Sequence, residues 1–414
     1  MEGGVADFTR LLGTALAALG AEVHILTSTK ATDMNSKDAK AMKSAKTNPQ
    51  SPIPNLHCHP LMRSWGWRPL YTTVGRLLGE LRPDVVNIQY QTAAFDMHPA
   101  INLLPSVVRY VSPRALRGHP FVVTFHDLLV PYLFPKAGRI RWGANLALAR
   151  ACQGVIVTNT QDQERLRAYP WMPRLELIPI GSNIPCVLPD RQVLIHPTNV
   201  ENQNLSAGYD RAKWRERWSI GDDTLLLCYF GFLNASKGGE ELIAALDSLC
   251  RSGRRVSLLM IGGAVGASDP TNQTYLELVK RSIRERGLEQ RVIWTGYMSP
   301  EEVSASFLSA DVCVLPYRDG ASFRRGSFMA ALAHGVPIVT TQPQGIISQL
   351  RDGENILLVP PQDPQALSAA VARVANDMEL RQRLSAGAQA LSKEFDWGRI
   401  AARTLEVYHA LAGR

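Results

Sequence analysis

Short apolar runs alternate with stretches of helical rhythm along almost the whole chain. That alternation predicts parallel strands joined by crossover helices, an α/β protein. Residues 6–19 space their apolar positions for a helix, which Gly20 ends. Residues 22–27 (EVHILT) read as a strand. Residues 30–56 are polar and lysine-rich, so a flexible insertion is expected there. A helix over 70–81 precedes strands over 83–90, 120–125 and 154–158. This series predicts a doubly wound domain over residues 1–184. Its opening is irregular. The glycine-rich turn Gly3-Gly4 has no strand before it, so a sheet lacking its first strand is expected.

Periodicity lapses over residues 185–208, rich in Pro, Asn and Gln, which makes that stretch a linker. A second series fills residues 209–392. Strands are expected over 225–230, 256–261, 292–295, 312–316 and 337–341, with helices over 240–250, 275–285 and 364–376. An amphipathic helix, 397–411, dominates the last segment, 393–414. Two successive halves of similar size predict two doubly wound domains with a cleft between them. In such folds ligands bind at the carboxyl ends of the strands.

Composition narrows the class. With 45% hydrophobic and 20% charged residues in 414, the chain is neither a coiled coil nor disordered throughout. Lys plus Arg number 45 against 37 Asp plus Glu, a net charge of +8. That excess suits an anionic ligand or an anionic inner-membrane surface. It is too small and dispersed to argue for nucleic acid. No apolar stretch approaches the ~18 residues that span a bilayer. Met1-Glu2-Gly3-Gly4 shows neither the basic nor the apolar region of a signal peptide. The six cysteines form no CxxC pair and read as reduced, packing thiols, so a cytoplasmic protein is expected.

Several loops carry candidate chemistry. Gly3 and Gly4 open the first helix, where free N–H groups and absent side chains admit a diphosphate or sugar. A tight turn is the plainer reading. Lys237 sits in the glycine-rich loop Phe230–Gly239, between a strand and a helix, and suits a phosphate or is a solvated lysine beside a helix start. The Walker A spacing is absent. Gly262-Gly263 follows another strand and reads as a plain loop or a close backbone approach. Arg324, Arg325 and Gly326 precede a helix, a setting fit for a diphosphate or simply an arginine pair on the surface. His126 ends the strand PFVVTFHD, where an imidazole meets a ligand or serves structure. His57-Cys58-His59 looks like part of a metal site, but no third ligand has suitable spacing, so no metal is expected. Trp65 and Trp67 read as packing for the helix that follows, or as a docking face for a sugar or membrane.

Together these segments resemble the family 4 glycosyltransferases of the GT-B type, built from two Rossmann-like domains. The resemblance runs through GGVADFTRLLGTALAALGAEVHILT, PDVVNIQYQ, VVTFHD, GVIVTNTQDQERL, LIPIGSNI, LCYFGFLNASKGGEELIAAL, LLMIGG, VIWTGYMSPEEVSASFLSADVCVLPY, ALAHGVPIVTT and FDWGRIAARTLEVY, in that order. It implies sugar transfer from a nucleotide diphosphate sugar, as co-substrate, to a glycan or lipid-linked acceptor, with retention and without cofactor or metal. Cell-envelope or exopolysaccharide synthesis is the implied setting, peripheral on the cytoplasmic membrane face. It also implies an acceptor-binding first domain, a nucleotide-binding second domain and a final helix that crosses back. His126 matches the active-site histidine and Lys237 the phosphate-binding lysine. Gly3 and Gly4 match the turn facing the diphosphate, and Tyr297 the segment whose backbone meets the base.

Three positions depart from the family pattern. Its two glutamates, eight positions apart, are here Ser322 and Ala330, and its phosphate-binding arginine is Phe232. Arg324 and Arg325 offer replacement positive charge. The missing carboxylates leave a second reading open, a non-catalytic homologue that binds nucleotide or glycan. A nucleotide-sugar epimerase or a phosphorylase on the same fold is a third.

Overall fold

The computed structural model describes residues 4–29, 53–128, 138–186, 209–263 and 270–413. Gly3, most of the expected insertion (30–52) and most of the expected linker (187–208) lie outside the described residues. The chain divides into two compact units. One comprises Met1–Gly181 with Trp397–Arg414, and the other comprises Ser182–Asp396.

Unit one runs α1 (Gly4–Ala18), β1 (Val23–Ser28), β2 (Leu56–Met62), α2 (Trp67–Leu81), β3 (Val86–Tyr90), α3 (Ala100–Tyr110), β4 (Phe121–Phe125), α4 (Gly138–Ala151), β5 (Gly154–Val157), α5 (Thr160–Arg167) and β6 (Arg174–Leu177). Among the described residues it holds two sheets, β1-β2 and β3-β4-β5-β6. Both are parallel throughout. β2 is an addition to the sequence reading. The segment LHCHPLM lacks apolar alternation, and it gains strand geometry by pairing with β1 from Leu56 onward. Leu56 therefore belongs to a strand and not to the insertion.

The core of unit one lies on both faces of its larger sheet. Phe8, Leu11, Leu12, Ala15 and Leu16 of α1 bury against Val122, Ile156 and the C-terminal helix Trp397–Ala412 through Trp397, Ile400, Ala401 and Val407. On the other face α2, α3 and α4 cover Ile88, Tyr90, Val123, Phe125 and Val155. Trp65 packs edge-on against Phe95 at 4.7 Å, the packing alternative, while Trp67 at the start of α2 remains exposed.

Unit two runs α6 (Arg211–Glu216), β7 (Leu225–Phe230), α7 (Gly239–Arg251), β8 (Val256–Ile261), α8 (Pro270–Glu285), β9 (Val292–Trp294), α9 (Pro300–Ser309), β10 (Val312–Leu315), α10 (Gly326–His334), β11 (Ile338–Thr341), β12 (Leu357–Val359), α11 (Pro364–Asn376) and α12 (Met378–Ser392). Its strands form one parallel sheet in the order β12-β11-β10-β7-β8-β9. The strand order reverses between β7 and β10. That junction is a topological switch point, where the loops leaving two adjacent strands diverge and open a crevice. It is the feature of the fold that positions the candidate site.

The supports of that crevice have local causes. Ser299 and Glu302 form a capping box that starts α9, with Pro300 at the first helical turn. His334 closes α10 and is fully enclosed. Burial lowers its pKa to about 4, so the ring is neutral. Its Nδ1–H donates to Ala330 O at 2.7 Å, and its Nε2 accepts from Ser304 Oγ at 2.8 Å. The ring thereby ties α10 to α9. All six cysteines are free thiols.

Candidate functional site

At the switch point, the loop after β7 lies directly on the loop after β10. Asn234 caps a single 3-10 turn, Ala235–Lys237, by accepting from Ser236 N at 3.0 Å. Gly238 then adopts φ +70°, and a Cβ built there would stand 1.9 Å from Pro316 O. Only glycine allows these two backbones to touch. Arg318 N donates to Ser236 O at 2.9 Å. The Arg318 guanidinium reaches Glu241 at 2.7 Å and Glu240 at 2.8 Å in the first turn of α7. Its charge is thus absorbed in joining the two loops.

Tyr317 is the floor of the site. The side chain is completely buried, and its hydroxyl lies 2.7 Å from Ser327 Oγ in the first turn of α10. Two cations face its ring. Lys237 Nζ lies 5.0 Å from the ring centroid and Arg325 Cζ lies 4.1 Å from it. Arg325 also pairs with Asp319. Lys237 is half-buried, with protein atoms crowded round its ammonium. Desolvation and then the neighbouring Arg325 lower its pKa to about 7, with Asp319 opposing. One carboxylate for two adjacent cations leaves a local excess of positive charge. A polyanion bound there would relieve it.

The other candidates of this unit occupy different positions. The backbone N–H and the Nε of Arg324 both approach Ser322 Oγ, at 3.3 and 3.4 Å. Gly326 is the first residue of α10, directly after Arg325. Ala330 is fully buried in the same helix. Phe232 is 52% exposed, and its ring edge would meet a Cβ on Gly263 at 3.1 Å. Aromatic surface therefore lies beside the Gly262-Gly263 turn, where the family pattern has a guanidinium. Tyr297, after β9, is 80% exposed.

In unit one, His126 follows β4 and its backbone N donates to Tyr90 O at 3.1 Å. Its Nε2 lies 2.9 Å from Gln89 Oε1 at the end of β3. Phe8 of α1 meets the ring edge-on at 4.6 Å, and Trp397 meets Phe8 at 5.2 Å. Burial lowers the pKa of His126 to about 4. The ring is neutral at physiological pH, so with Gln89 accepting from Nε2–H, Nδ1 keeps its lone pair. Gly4 begins α1 on the surface, and a Cβ there would meet nothing within 4 Å. Neither a positive φ nor a close neighbour accounts for glycine at this position.

Lys237 and Arg325 are thus brought together over Tyr317. Sequence reading missed Tyr317 and Gln89. A buried tyrosine and an amide one position before the end of a strand carry no pattern of their own. Asp319, whose spacing suits no carboxylate of the family, serves as the counter-ion of Arg325.

Residues 210–391 match the family described as glycosyl transferases group 1, and residues 3–181 match the glycosyl transferase 4-like domain. A D-inositol 3-phosphate glycosyltransferase of Corynebacterium glutamicum is 28% identical over 228 residues, 53% of this chain and 52% of its own length. The chain spans about half the length of several such curated relatives. Sucrose-phosphate synthase from Thermosynechococcus elongatus superimposes with a TM-score of 0.71 at 21% identity, over 99% of this chain and 94% of its own. Anabaena HepE, solved with UDP and glucose, gives a TM-score of 0.68 at 19% identity, over 99% and 97%. The two family matches fall one on each unit, in family order, and these structures share the fold over nearly their full length. The chain therefore belongs to the family 4 glycosyltransferases, the GT-B type with two Rossmann-like domains.

Proposed function

We propose that the protein transfers a sugar from a nucleoside diphosphate sugar to an acceptor hydroxyl, and that Lys237 and Arg325 bind the diphosphate. The observation that carries this reading is the pair of cations over Tyr317 at the switch point of unit two. The transfer breaks the bond from the anomeric carbon to the diphosphate and forms one to the acceptor oxygen, which loses its proton. Negative charge grows on the leaving diphosphate, and two fixed cations stabilise that charge without reorganising. Family membership supports the reaction class, and the UDP found with Anabaena HepE makes UDP-sugars the first donors to try. Retention, a glycan or lipid-linked acceptor and a role at the cell envelope belong to the same proposal. Among the described residues no helix is long and apolar enough to cross a membrane.

His126 is assigned to the donor sugar or the acceptor hydroxyl, through its neutral ring. His126→Ala is expected to lower kcat by a larger factor than it raises the Kd for UDP-glucose. Steady-state kinetics beside calorimetry separate the two. Equal kcat in a natively folded variant would return His126 to a structural role.

Binding should depend on pH with a definite sign. A diphosphate diester such as UDP-glucose keeps its charge through neutral pH, while Lys237 loses its proton as pH rises through about 7. Affinity is therefore expected to be highest below pH 7 and to fall above it, approaching about tenfold per pH unit. Calorimetry at pH 6 and pH 8.5 checks the sign. A flat profile would mean that the lysine does not contact the anion.

The second reading, a binding homologue without turnover, is favoured by Ser322 beside Arg324 and by the fully buried Ala330, where the family has carboxylates. Incubating the pure protein with a panel of UDP- and GDP-sugars, with and without acceptors, decides between them. Release of nucleoside diphosphate that rises with acceptor supports transfer. Saturable binding without release supports the second reading.

A further inference from the structure

The sequence offers His57 and His59 without a third ligand. The fold supplies the missing donors from β1 and the residue just before it. In the parallel register His24 stands opposite His57, and Leu26 stands opposite His59. Alternate strand residues share a face, so His24, His57 and His59 project to the same side, with Glu22 two residues before His24. The rings of His24 and His57 stack at 4.7 Å and those of His24 and His59 at 5.2 Å, each pair 21° from parallel. Glu22 Oε1 lies 3.2 Å from His24 Nε2 and 3.9 Å from His57 Nε2. One donor atom from each of Glu22, His24 and His57 falls within 4.8 Å of the others. The remaining ring nitrogen of His24, Nδ1, is 3.0 Å from His59 Nε2.

We propose that Glu22, His24 and His57 bind a divalent first-row transition-metal ion, Zn²⁺ being the test ion, with His59 orienting His24 through its Nδ1. Two imidazoles and a carboxylate are a borderline-soft donor set that suits such ions and leaves coordination positions for water. Tetrahedral zinc with ligands at ~2.0–2.1 Å holds its donor atoms roughly 3.4 Å apart. The Glu22–His24 and Glu22–His57 separations bracket that value, so small side-chain rotations complete the site. A histidine held at its second nitrogen is the usual arrangement of a metal-bound imidazole.

The place of the site says what the ion does. Glu22 and His24 are at the amino end of β1, whereas ligands of these folds gather at the carboxyl ends. The ion acts as a clip. It ties β1 to β2 and closes the chain segment between residues 24 and 57, where a cross-link removes loop entropy. Glu22 and His57 are open to solvent, with side-chain exposures of 70% and 51%, so an ion has an entry path. Arg76 and Glu80 of α2 flank His59 with opposite charges.

The proposal is independent of sugar transfer, and its test does not use activity. The full chain, stripped with EDTA and dialysed, is titrated with zinc sulfate by calorimetry, and its melting temperature is followed with and without zinc. Expected is one ion per chain with a Kd in the micromolar range or below, together with a rise in melting temperature. His57→Gln and Glu22→Gln, both at exposed positions, are expected to raise the Kd at least ~10-fold and to abolish the rise. His59→Gln should weaken binding less than either. Cys58→Ser, which removes the exposed thiol between the two histidines, should bind zinc like the wild type. Absence of zinc binding by the wild type, or unchanged affinity in His57→Gln and Glu22→Gln, overturns the proposal. So does loss of binding in Cys58→Ser alone.

Discussion

Replacing Lys237 with Ala is expected to weaken UDP-glucose binding by about 1.5–3 kcal/mol, the scale of a hydrogen bond to a charged group. That corresponds to roughly a 10- to 100-fold rise in Kd. Arg325→Ala should lose a similar amount, with a further consequence. Arg325 is the second cause of the lowered lysine pKa. Its removal leaves Lys237 beside Asp319 alone, so the lysine pKa rises and the decline of binding moves to higher pH. A shift in that direction in the arginine variant, measured by calorimetry across pH, shows that the two cations share one anion. Wild-type affinity in both variants would remove the diphosphate from this site.

Gly238→Ala is expected to be among the most damaging single substitutions of unit two. A Cβ would stand 1.9 Å from Pro316 O, and the backbone is at φ +70°, where an L side chain is strained. Both loops are held from behind. Arg318 bridges to Glu240 and Glu241, and Gly320 packs its backbone against Gln342, where a Cβ would come to 2.4 Å from the carbonyl oxygen. The crowding cannot be relieved by one side-chain rotation. A loss of more than about 3 kcal/mol is expected, together with loss of nucleotide binding, because backbone strain and steric overlap add. Gly345→Ala is the control, since a Cβ there meets nothing within 4 Å. Equal denaturation midpoints for the two variants would show that the loops part easily.

The strands that appear where the sequence places them share a physical cause. β7 (LLLCYF) is an unbroken apolar run, β8 (VSLLMI) is one but for Ser257, and each ends at a glycine; burial on both faces of a parallel sheet demands that composition. The helix Pro364–Asn376 starts where Asp363 caps it and a proline fits its first turn. β2 lacks such a signal. Its alternate histidines give no apolar face, and only the edge of β1 makes it a strand. α3 was also illegible, because Pro105 inside it breaks the local rule and packing overrides the cost.

The candidate sites divide in the same way. Local chemistry marks a lysine in a glycine-rich turn, an arginine at a helix start and a histidine at a strand end, because each needs only its neighbours in sequence. What these residues do electrostatically is decided by distant pairing. The order β10-β7 sets Arg325 and Lys237 on one buried tyrosine, and desolvation there, reinforced by Arg325, lowers the lysine pKa to about 7. The parallel register of β1 and β2 likewise brings Glu22 and His24 to His57, which no spacing along the chain reveals. Sequence alone determined the fold class, the succession of two α/β halves and the residue types available for chemistry, since these follow from local periodicity and composition. Tertiary structure decided which charges meet and which are desolvated, because Coulomb energy and solvent exclusion depend on distance in space and not on position in the chain.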